Sequence, residues 1–201
     1  MTLKKIWNFI WNDDSIASWV VNIILAFLII KFLFYPAIGL VLGTTHPIVA
    51  VVSSSMEHDL IYDPLTKNYI ICGKSFEEDK MLNFNSYWEI CGAFYEDINI
   101  KNTEFKEFKM KNGFNMGDII VLSNKKNIKN GDITVYWSDR IYPIIHRVVD
   151  NNETHIITKG DHNSRSDNPV LKDQVIGKAL FKIPYLGWIK IWAVNVWSII
   201  I

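Results

Sequence analysis

Three short polar stretches of this 201-residue sequence lie directly beside runs of apolar, β-branched residues. The first is Ser53-Ser54-Ser55-Met56, which follows the run PIVAVV. The second places His146 within PIIHRVV, and the third, residues 158–168, contains Asp161 and Asp167. Together they supply a hydroxyl, an imidazole and carboxylates, the groups that acyl transfer by an activated serine requires.

Taken one at a time, these stretches have ordinary structural explanations. A serine cluster after a strand usually forms a turn whose hydroxyls bond the backbone, and carboxylates often cap such turns. A histidine among apolar residues is more often a buried structural group than a base. A serine nucleophile nevertheless needs a base, and histidine, which ordinarily titrates near neutrality, suits that role. The combination in the order Ser, His, Asp therefore points to serine-protease chemistry, because such a triad is defined by roles rather than by chain order.

The elements that must position these groups are short strand-like runs separated by turn signals. They are GDIIVLS, GDITVYW, YPIIHRVV, HIITKG and KALFKIPY. Such a series predicts a mainly β domain, an antiparallel sheet that is curled or barrel-like around one core. Residues 60–115 differ, being rich in Asn, Lys, Glu and Phe with mixed periodicity, and predict an inserted cap of mixed structure.

The cap contains both cysteines of the chain, Cys72 and Cys91. Two cysteines are too few for a disulfide scaffold or a tetrahedral zinc site. They can form one disulfide if the segment is extracytoplasmic, or they can be two separate buried thiols. The sequence leaves both alternatives open.

Apolar residues are concentrated near the N-terminus, in the run from Val20 to Leu40. Fourteen of its 21 residues are Val, Ile, Leu or Phe, which contribute roughly −4 to −8 kcal/mol towards membrane insertion. Lys31 opposes insertion by about 2.5 to 3.5 kcal/mol at the midplane. The balance predicts a transmembrane helix, with a cleaved secretory signal or a buried core helix as the alternatives. Lys4 and Lys5 precede the run, so the positive-inside rule places the N-terminus in the cytoplasm.

These patterns divide the chain into three parts. Residues 1–43 are the predicted cytoplasmic N-terminus and transmembrane anchor, and residues 44–187 are the predicted extracytoplasmic catalytic domain. Residues 188–201 end the chain as an apolar, Trp-rich segment. A second span, an interfacial helix and a core element that closes the domain all remain open for it.

The charge balance excludes one broad class of partner. Basic and acidic residues number 21 each, so the formal net charge is zero. A nucleic-acid-binding domain would carry an excess of positive charge, and this chain has none.

The segments VVSSSME, GDIIV, IIHRVV and TKGDHNSRSD, in this order behind an apolar helix, resemble the conserved boxes of type I signal peptidases. They are most similar to the endoplasmic-reticulum and archaeal branch, which uses a histidine where bacterial relatives use a lysine base. The resemblance covers the anchor and most of residues 47–187, except about 60–115. It implies a serine endopeptidase of the cell or endoplasmic-reticulum membrane, which removes signal peptides from exported preproteins without a cofactor or metal.

The resemblance also implies a role for individual residues. Ser55 matches the nucleophile, His146 the general base and Asp167 the third member of the triad. Ser53 matches a serine whose hydroxyl helps the Ser55 backbone N–H to stabilise the oxyanion. Asp161 matches an aspartate that supports the architecture of the site.

Signal peptides end in small residues at alternate positions. An extended substrate that adds to a sheet edge would direct those side chains into two shallow apolar pockets. We expect Met56, Val52, Ile144 and Ile145 to line these pockets. The implied partners are signal peptides, the lipid bilayer and other membrane subunits or translocation machinery.

The sequence departs from the family pattern in the loop around the nucleophile. Ser54 stands where the family has glycine, which implies a turn that needs no positive φ. His58 stands where the family has proline, and it is a competing candidate for the base.

Three other readings remain at this point. The chain can be a non-catalytic, membrane-anchored binding or assembly subunit of the same fold. A metal site can be formed by His155, Asp161 and His162, although their spacing fits no standard zinc motif. The third is a different membrane serine protease or a self-cleaving, repressor-type relative. Such proteins use a lysine base, and Lys125, Lys126 and Lys159 lie outside the matching position.

Overall fold

The computed structural model describes residues 2–189 and 191–192. The chain divides into two compact units, residues 1–45 and residues 46–201. Residues 190 and 193–201 lie outside the described residues. The prediction of a second span or an interfacial helix over 188–201 falls largely on them and stays a prediction.

The N-terminal unit is a series of helices. They are α1 (Leu3–Asn12), α2 (Ile16–Ile29), a π-helical turn (Ile30–Phe34) and α3 (Tyr35–Leu42). The side chain of Ser15 caps α2 by accepting a hydrogen bond from the Ser18 N–H. The π-helical turn precedes Pro36, whose missing N–H cannot make the regular α-helical bond. Gly43 ends α3 in the left-handed conformation at φ 66°.

The helical run Ile16–Leu42 is 27 residues long and is the one segment among the described residues that is long and apolar enough to cross a membrane. It contains the whole of the predicted span. Two of its polar side chains bond backbone carbonyls of α1. Ser18 Oγ donates to the Phe9 carbonyl at 2.6 Å, and Asn22 Nδ2 donates to the Ile10 carbonyl at 2.9 Å. These bonds lower the cost of placing polar groups in an apolar helix.

The second unit contains the strands and further helices. The strands are β1 (Ile48–Ala50), β2 (Ile61–Asp63), β3 (Asn68–Ile71), β4 (Lys74–Phe76), β5 (Ile119–Ser123), β6 (Ile133–Tyr136), β7 (Ile144–Asn151), β8 (His155–Lys159), β9 (Val170–Leu171) and β10 (Val175–Ile183). The helices are α4 (Phe84–Asp97) and α5 (Asn102–Phe105).

Seven strands form one antiparallel sheet in the order β1-β5-β10-β6-β7-β8-β9. Register shifts interrupt β10 twice and β7 once. Bulges of this kind increase the local twist, so the sheet curls around its apolar face. The buried residues of that core are Val51, Met56, Phe114, Ile120, Leu122, Ile133, Val135, Ile145 and Ala179. The predicted mainly β, curled antiparallel fold is confirmed.

Residues 60–115 have the mixed structure predicted for the cap. β2, β3 and β4 form a small antiparallel sheet, and α4 and α5 follow it. Cys72 and Gly73, with φ of 51° and 74°, form the two-residue turn between β3 and β4. Cys72 and Cys91 are joined by a disulfide, with their Cα atoms 5.6 Å apart. Of the two alternatives that the sequence left open, the disulfide is the one found.

Candidate active site

Ser55, His146 and Asp167 come from three separate parts of the second unit. Ser55 lies in the turn that follows β1, His146 lies in β7, and Asp167 lies in the loop between β8 and β9. Met56, the next residue after Ser55, is fully buried in the core of the curled sheet. This buried side chain holds the serine turn against the sheet and leaves Ser55 half-buried.

The three side chains form a continuous hydrogen-bonded chain. Ser55 Oγ lies 3.0 Å from His146 Nε2, and His146 Nδ1 lies 2.6 Å from Asp167 Oδ2. Because a carboxylate only accepts hydrogen bonds, His146 must carry its proton on Nδ1. Nε2 is then free to accept the Ser55 O–H, which is the arrangement that a general base for a serine nucleophile needs.

Two further side chains support Asp167, and the sequence reasoning missed both. The hydroxyls of Thr158 and Tyr136 donate to Asp167 Oδ2 at 2.7 and 3.1 Å. Burial alone would raise the pKa of Asp167, but the hydrogen bonds from His146, Thr158 and Tyr136 hold it below its ordinary value. The carboxylate is therefore ionised at neutral pH. Burial raises the pKa of Tyr136, so its hydroxyl stays a donor.

Ser53 and Ser54 complete the turn around Ser55. Ser53 Oγ is exposed and lies 3.2 Å from Ser55 Oγ, so its hydroxyl reaches the nucleophile. The Ser54 carbonyl accepts a hydrogen bond from the Glu57 N–H at 3.0 Å. Ser54 is not among the described non-glycine residues with a positive φ. Serine can thus replace the family glycine here without backbone strain.

Asp161 is completely buried, and its carboxylate forms an ion pair with Arg147. Arg147 donates from Nη2 to Oδ2 at 2.6 Å and from Nε to Oδ1 at 2.9 Å. Tyr95 donates its hydroxyl to Oδ1 at 3.0 Å, and His58 Nε2 lies 3.0 Å from Oδ2. Burial opposes ionisation, but the Arg147 charge outweighs it and holds the pKa of Asp161 well below its usual range.

The remaining donors of Arg147 bond backbone carbonyls at residues 109, 110 and 131. Arg147 and Tyr95 are therefore further parts of the site that the sequence reasoning missed. The signal for Arg147 was its place in the HRVV segment, directly after the candidate base. Nothing in the sequence of the cap pointed to Tyr95, because its partner is 66 residues away.

His58, the competing base candidate, serves Asp161 instead of Ser55. Its ring stacks on Tyr87 with the ring centroids 3.5 Å apart and the planes within 4°. Burial lowers the pKa of His58, so the side chain is neutral at pH 7. Its Nδ1 atom is buried without a hydrogen-bond partner among the described residues. The imidazole that contacts the Ser55 hydroxyl is that of His146.

Two of the three lysines considered as alternative bases have other partners. Lys159 is buried, and its Nζ donates to the Gly160 carbonyl at 3.0 Å. Burial lowers the pKa of Lys159 to about 8. Lys125 Nζ donates to two carbonyls in residues 172–173.

The four expected substrate contacts differ in accessibility. Val52 is 55% exposed, and Ile144 is half-buried. Ile145 is buried in the core, and Met56 has no exposed surface, its Sδ lying 3.4 Å from the Asp161 N–H. Val52 and Ile144 are thus the two of the four whose side chains have accessible surface.

The residues considered for a metal site are spread over separate interactions. His155 Nε2 lies 2.8 Å from Asn152 Nδ2, and His162 Nδ1 lies 3.2 Å from the Glu57 carbonyl oxygen. Within the described part of the chain, no three His, Cys, Asp or Glu side chains are grouped so that they could hold a metal ion.

Comparison with known proteins supports the same kind of chemistry as the geometry of the site. No family model matches the chain. The signal peptidase complex catalytic subunit of Schizosaccharomyces pombe is 29% identical over 172 residues, which cover 79% of this chain and 72% of that protein. Over most of its length, this chain is thus similar to a signal peptidase complex catalytic subunit. The resemblance to type I signal peptidases inferred from the motifs is confirmed.

Other catalytic subunits of the signal peptidase complex match over shorter regions. The Homo sapiens protein is 33% identical over 98 residues, which cover 41% of this chain and 51% of that protein. The Lachancea thermotolerans protein is 35% identical over 100 residues, which cover 41% of this chain and 60% of that protein. These two matches span less than two thirds of each relative's length.

Proposed function

We propose that this protein is a membrane-anchored serine endopeptidase that removes signal peptides from exported preproteins. The hydrogen-bonded chain Ser55–His146–Asp167 is the observation that carries the proposal. Homology to catalytic subunits of the signal peptidase complex supports the same activity. An intact set of reactive groups also argues against a purely structural subunit of the same fold.

The reaction is acyl transfer in two stages. His146 Nε2 takes the Ser55 proton while Ser55 Oγ attacks the scissile carbonyl carbon. The C–N bond then breaks, His146 gives its proton to the leaving amine, and the signal peptide stays on Ser55 as an ester. Water, deprotonated by His146, hydrolyses the ester and restores the serine. Asp167 holds the imidazole tautomer and stabilises its cation in both stages.

The oxyanion is stabilised by hydrogen bonds from the Ser55 backbone N–H and the Ser53 hydroxyl. Ser53 Oγ is within 3.2 Å of the nucleophile, close to the position that the carbonyl oxygen of a bound substrate would take. A preorganised donor of this kind contributes about 3 to 4 kcal/mol to transition-state stabilisation.

Substrate binding is assigned to the free edge of β1. β1 is the terminal strand of the seven-stranded sheet, and the serine turn follows it directly. A peptide that adds to this edge places alternate side chains on one face of the sheet. With Val52 and Ile144 as apolar walls, small side chains at alternate positions fit and bulky ones do not.

The membrane location rests on the helical run Ile16–Leu42. Lys4 and Lys5 precede it, so the N-terminus faces the cytoplasm and the catalytic domain lies on the opposite side. The Cys72–Cys91 disulfide agrees with that side, because disulfides persist in oxidising compartments. Other membrane subunits are expected partners, since the relatives are named as subunits of a complex.

Substrate preference tests this function directly. The purified full chain in liposomes is given a preprotein whose signal peptide ends Ala-x-Ala, and a matched preprotein with Leu in place of both alanines. We expect cleavage after the second alanine of the first preprotein and little cleavage of the second, with the site identified by sequencing the product N-terminus. A folded protein that cleaves neither would contradict the peptidase function and favour the non-catalytic subunit.

A further inference from the structure

A three-residue segment, residues 160–162, lies directly against the nucleophile and the base. The His162 N–H donates to the Ser55 carbonyl oxygen at 2.9 Å. A Cβ atom on Gly160 would lie 2.8 Å from His146 Nε2 and 2.7 Å from the Ser55 carbonyl oxygen. The backbone approaches the site so closely that no side chain fits there. A small shift of this segment therefore changes the Ser55–His146 geometry.

The cap holds the same segment through three hydrogen bonds. The Tyr87 hydroxyl donates to the Asp161 carbonyl oxygen at 2.9 Å, and the Tyr95 hydroxyl donates to Asp161 Oδ1 at 3.0 Å. The Cys72 N–H donates to the His162 carbonyl oxygen at 2.8 Å. Both tyrosines are fully buried, and burial raises the pKa of each, so both hydroxyls remain donors.

The disulfide fixes the face of α4 that carries these hydroxyls. Tyr87, Cys91 and Tyr95 are spaced four residues apart, which places them on one face of the helix. Cys91 is bonded to Cys72, whose own N–H contacts the catalytic segment. The disulfide therefore holds the donors of these cap hydrogen bonds in fixed positions relative to residues 160–162.

The charge of Asp161 does not depend on the Tyr95 hydroxyl. Arg147 neutralises the carboxylate through hydrogen bonds from Nε and Nη2, and both side chains are fully buried. Removing the Tyr95 hydroxyl leaves this ion pair in place. Loss of this hydroxyl removes a constraint on the orientation of the carboxylate. It therefore affects the position of the catalytic groups rather than folding.

We propose that Tyr95 and Tyr87 are positioning residues for the peptidase reaction, acting on Ser55 and His146 through residues 160–162. The proposal rests on the proposed peptidase function and extends it to the inserted cap. The cap thus supports the chemistry of the site, and its two buried hydroxyls set the rate of acyl transfer without touching the substrate.

Kinetics of hydroxyl-deletion variants test this role. Tyr95→Phe and Tyr87→Phe are compared with Tyr62→Phe, which alters an exposed tyrosine of the same cap. We expect each of the first two to lower kcat on the Ala-x-Ala preprotein by roughly 10- to 100-fold, because small misplacements of reacting groups have effects of this size. KM should change by less than about 2-fold, since hydroxyls distant from the substrate add nothing to its binding. Tyr62→Phe should match the wild type.

A change confined to KM, or an unchanged kcat in both folded variants, would overturn the proposal. Circular dichroism and thermal unfolding show which variants are folded. If Tyr95→Phe does not fold, Tyr87→Phe decides the question by the same criteria.

A second substrate distinguishes failure of the positioning role from failure of the proposed signal-peptide removal. Hydrolysis of N-acetyl-alanine p-nitrophenyl ester needs the Ser55–His146 pair but no signal peptide, and Ser55→Ala sets its background. A wild type that hydrolyses this ester through Ser55 but cleaves no preprotein would overturn signal-peptide removal. The cap variants are then compared on the ester. A 10-fold or greater loss supports the positioning role, and wild-type rates overturn it.

Discussion

Asp167 concentrates three hydrogen bonds on a single carboxylate oxygen, from His146 Nδ1, the Thr158 hydroxyl and the Tyr136 hydroxyl. Three donors fix both the charge and the direction of this carboxylate. The imidazole is held in turn with Nε2 towards Ser55. At the scale of single residues, the site is thus set for proton transfer before any substrate binds.

Replacing the charge of Asp167 tests this arrangement. Asp167→Asn keeps the shape of the side chain but can donate to His146 Nδ1, which favours the wrong tautomer. We expect kcat for preprotein cleavage to fall by roughly 10²- to 10⁴-fold, with little change in KM. Asp150→Asn, at an exposed position of β7, is the matched control and should retain full activity. Equal activity of both variants would contradict the role of Asp167.

Burial of His58 predicts a dependence of stability on pH. Its pKa is lowered in the folded state, chiefly by desolvation, so the unfolded chain binds a proton more readily. The neutral form therefore stabilises the fold fully above the ordinary histidine pKa of about 6.5. That contribution decreases as the pH falls below this value towards the lowered pKa.

A matched pair of variants isolates the His58 contribution. We expect the melting temperature of the wild type to fall between about pH 7 and pH 5, in the range of histidine titration. This fall in melting temperature should be smaller in His58→Gln. It should be unchanged in the control His155→Gln, which alters a histidine of β8. Identical pH curves for the wild type and His58→Gln, measured by thermal unfolding, would contradict the effect.

The sequence allowed us to predict that Ser55, His146 and Asp167 come together, but not which residues support them. Ser55 and His146 are recognisable because each reactive group follows or interrupts an apolar strand in a fixed motif. Thr158 and Tyr136 look like ordinary strand residues, and their role follows from the pairing of β6, β7 and β8. A hydrogen bond across three strands has no local signal in the sequence.

At the scale of elements, α4 contacts the catalytic segment through the Tyr87 and Tyr95 hydroxyls, and the disulfide within the cap links α4 to the β3–β4 turn. The strands of the main sheet were predictable, because Gly-Asp turns precede β5 and β6 and apolar runs mark β7, β8 and β10. The elements of the cap were not. α4 carries aromatic residues on several sides, among them Phe84 and Trp88, which pack against Phe105 of α5. Its periodicity is therefore indistinct.

Loss of the disulfide should destabilise the folded domain. A cross-link over the 19-residue separation of Cys72 and Cys91 stabilises a fold by about 3 kcal/mol, mainly by restricting the unfolded chain. We expect the double variant Cys72→Ser/Cys91→Ser to lose about 2 to 4 kcal/mol of unfolding free energy, measured by chemical denaturation. Reductant should bring the wild type close to this level and leave the double variant unchanged. Equal destabilisation of both proteins by reductant would contradict the assignment.

At the scale of the whole molecule, the apolar content and the neutral charge have separate origins. Hydrophobic residues make up 49% of the chain, and many of them lie in the helical run Ile16–Leu42. A helix long and apolar enough to span a membrane was predictable from composition, since membrane insertion depends mainly on summed transfer free energies. The π-helical turn before Pro36 was not predicted, because it depends on backbone hydrogen bonding within that helix.

These properties indicate a different role for each part of the chain. An apolar helical unit provides an anchor, and a curled sheet brings together a serine and a histidine that are 91 residues apart. Zero net charge fits an enzyme that selects small, uncharged side chains through apolar walls. The account therefore depends on one claim, that Ser55 is the nucleophile.

Preprotein cleavage by Ser55→Ala in liposomes tests that claim most directly. Ser54→Ala, in the same turn, is the control, and circular dichroism establishes that both variants are folded. The account predicts that Ser54→Ala cleaves at close to the wild-type rate and that Ser55→Ala loses activity by at least about 10⁴-fold, as expected when a catalytic serine is removed. Cleavage by folded Ser55→Ala at a rate near that of Ser54→Ala would contradict it.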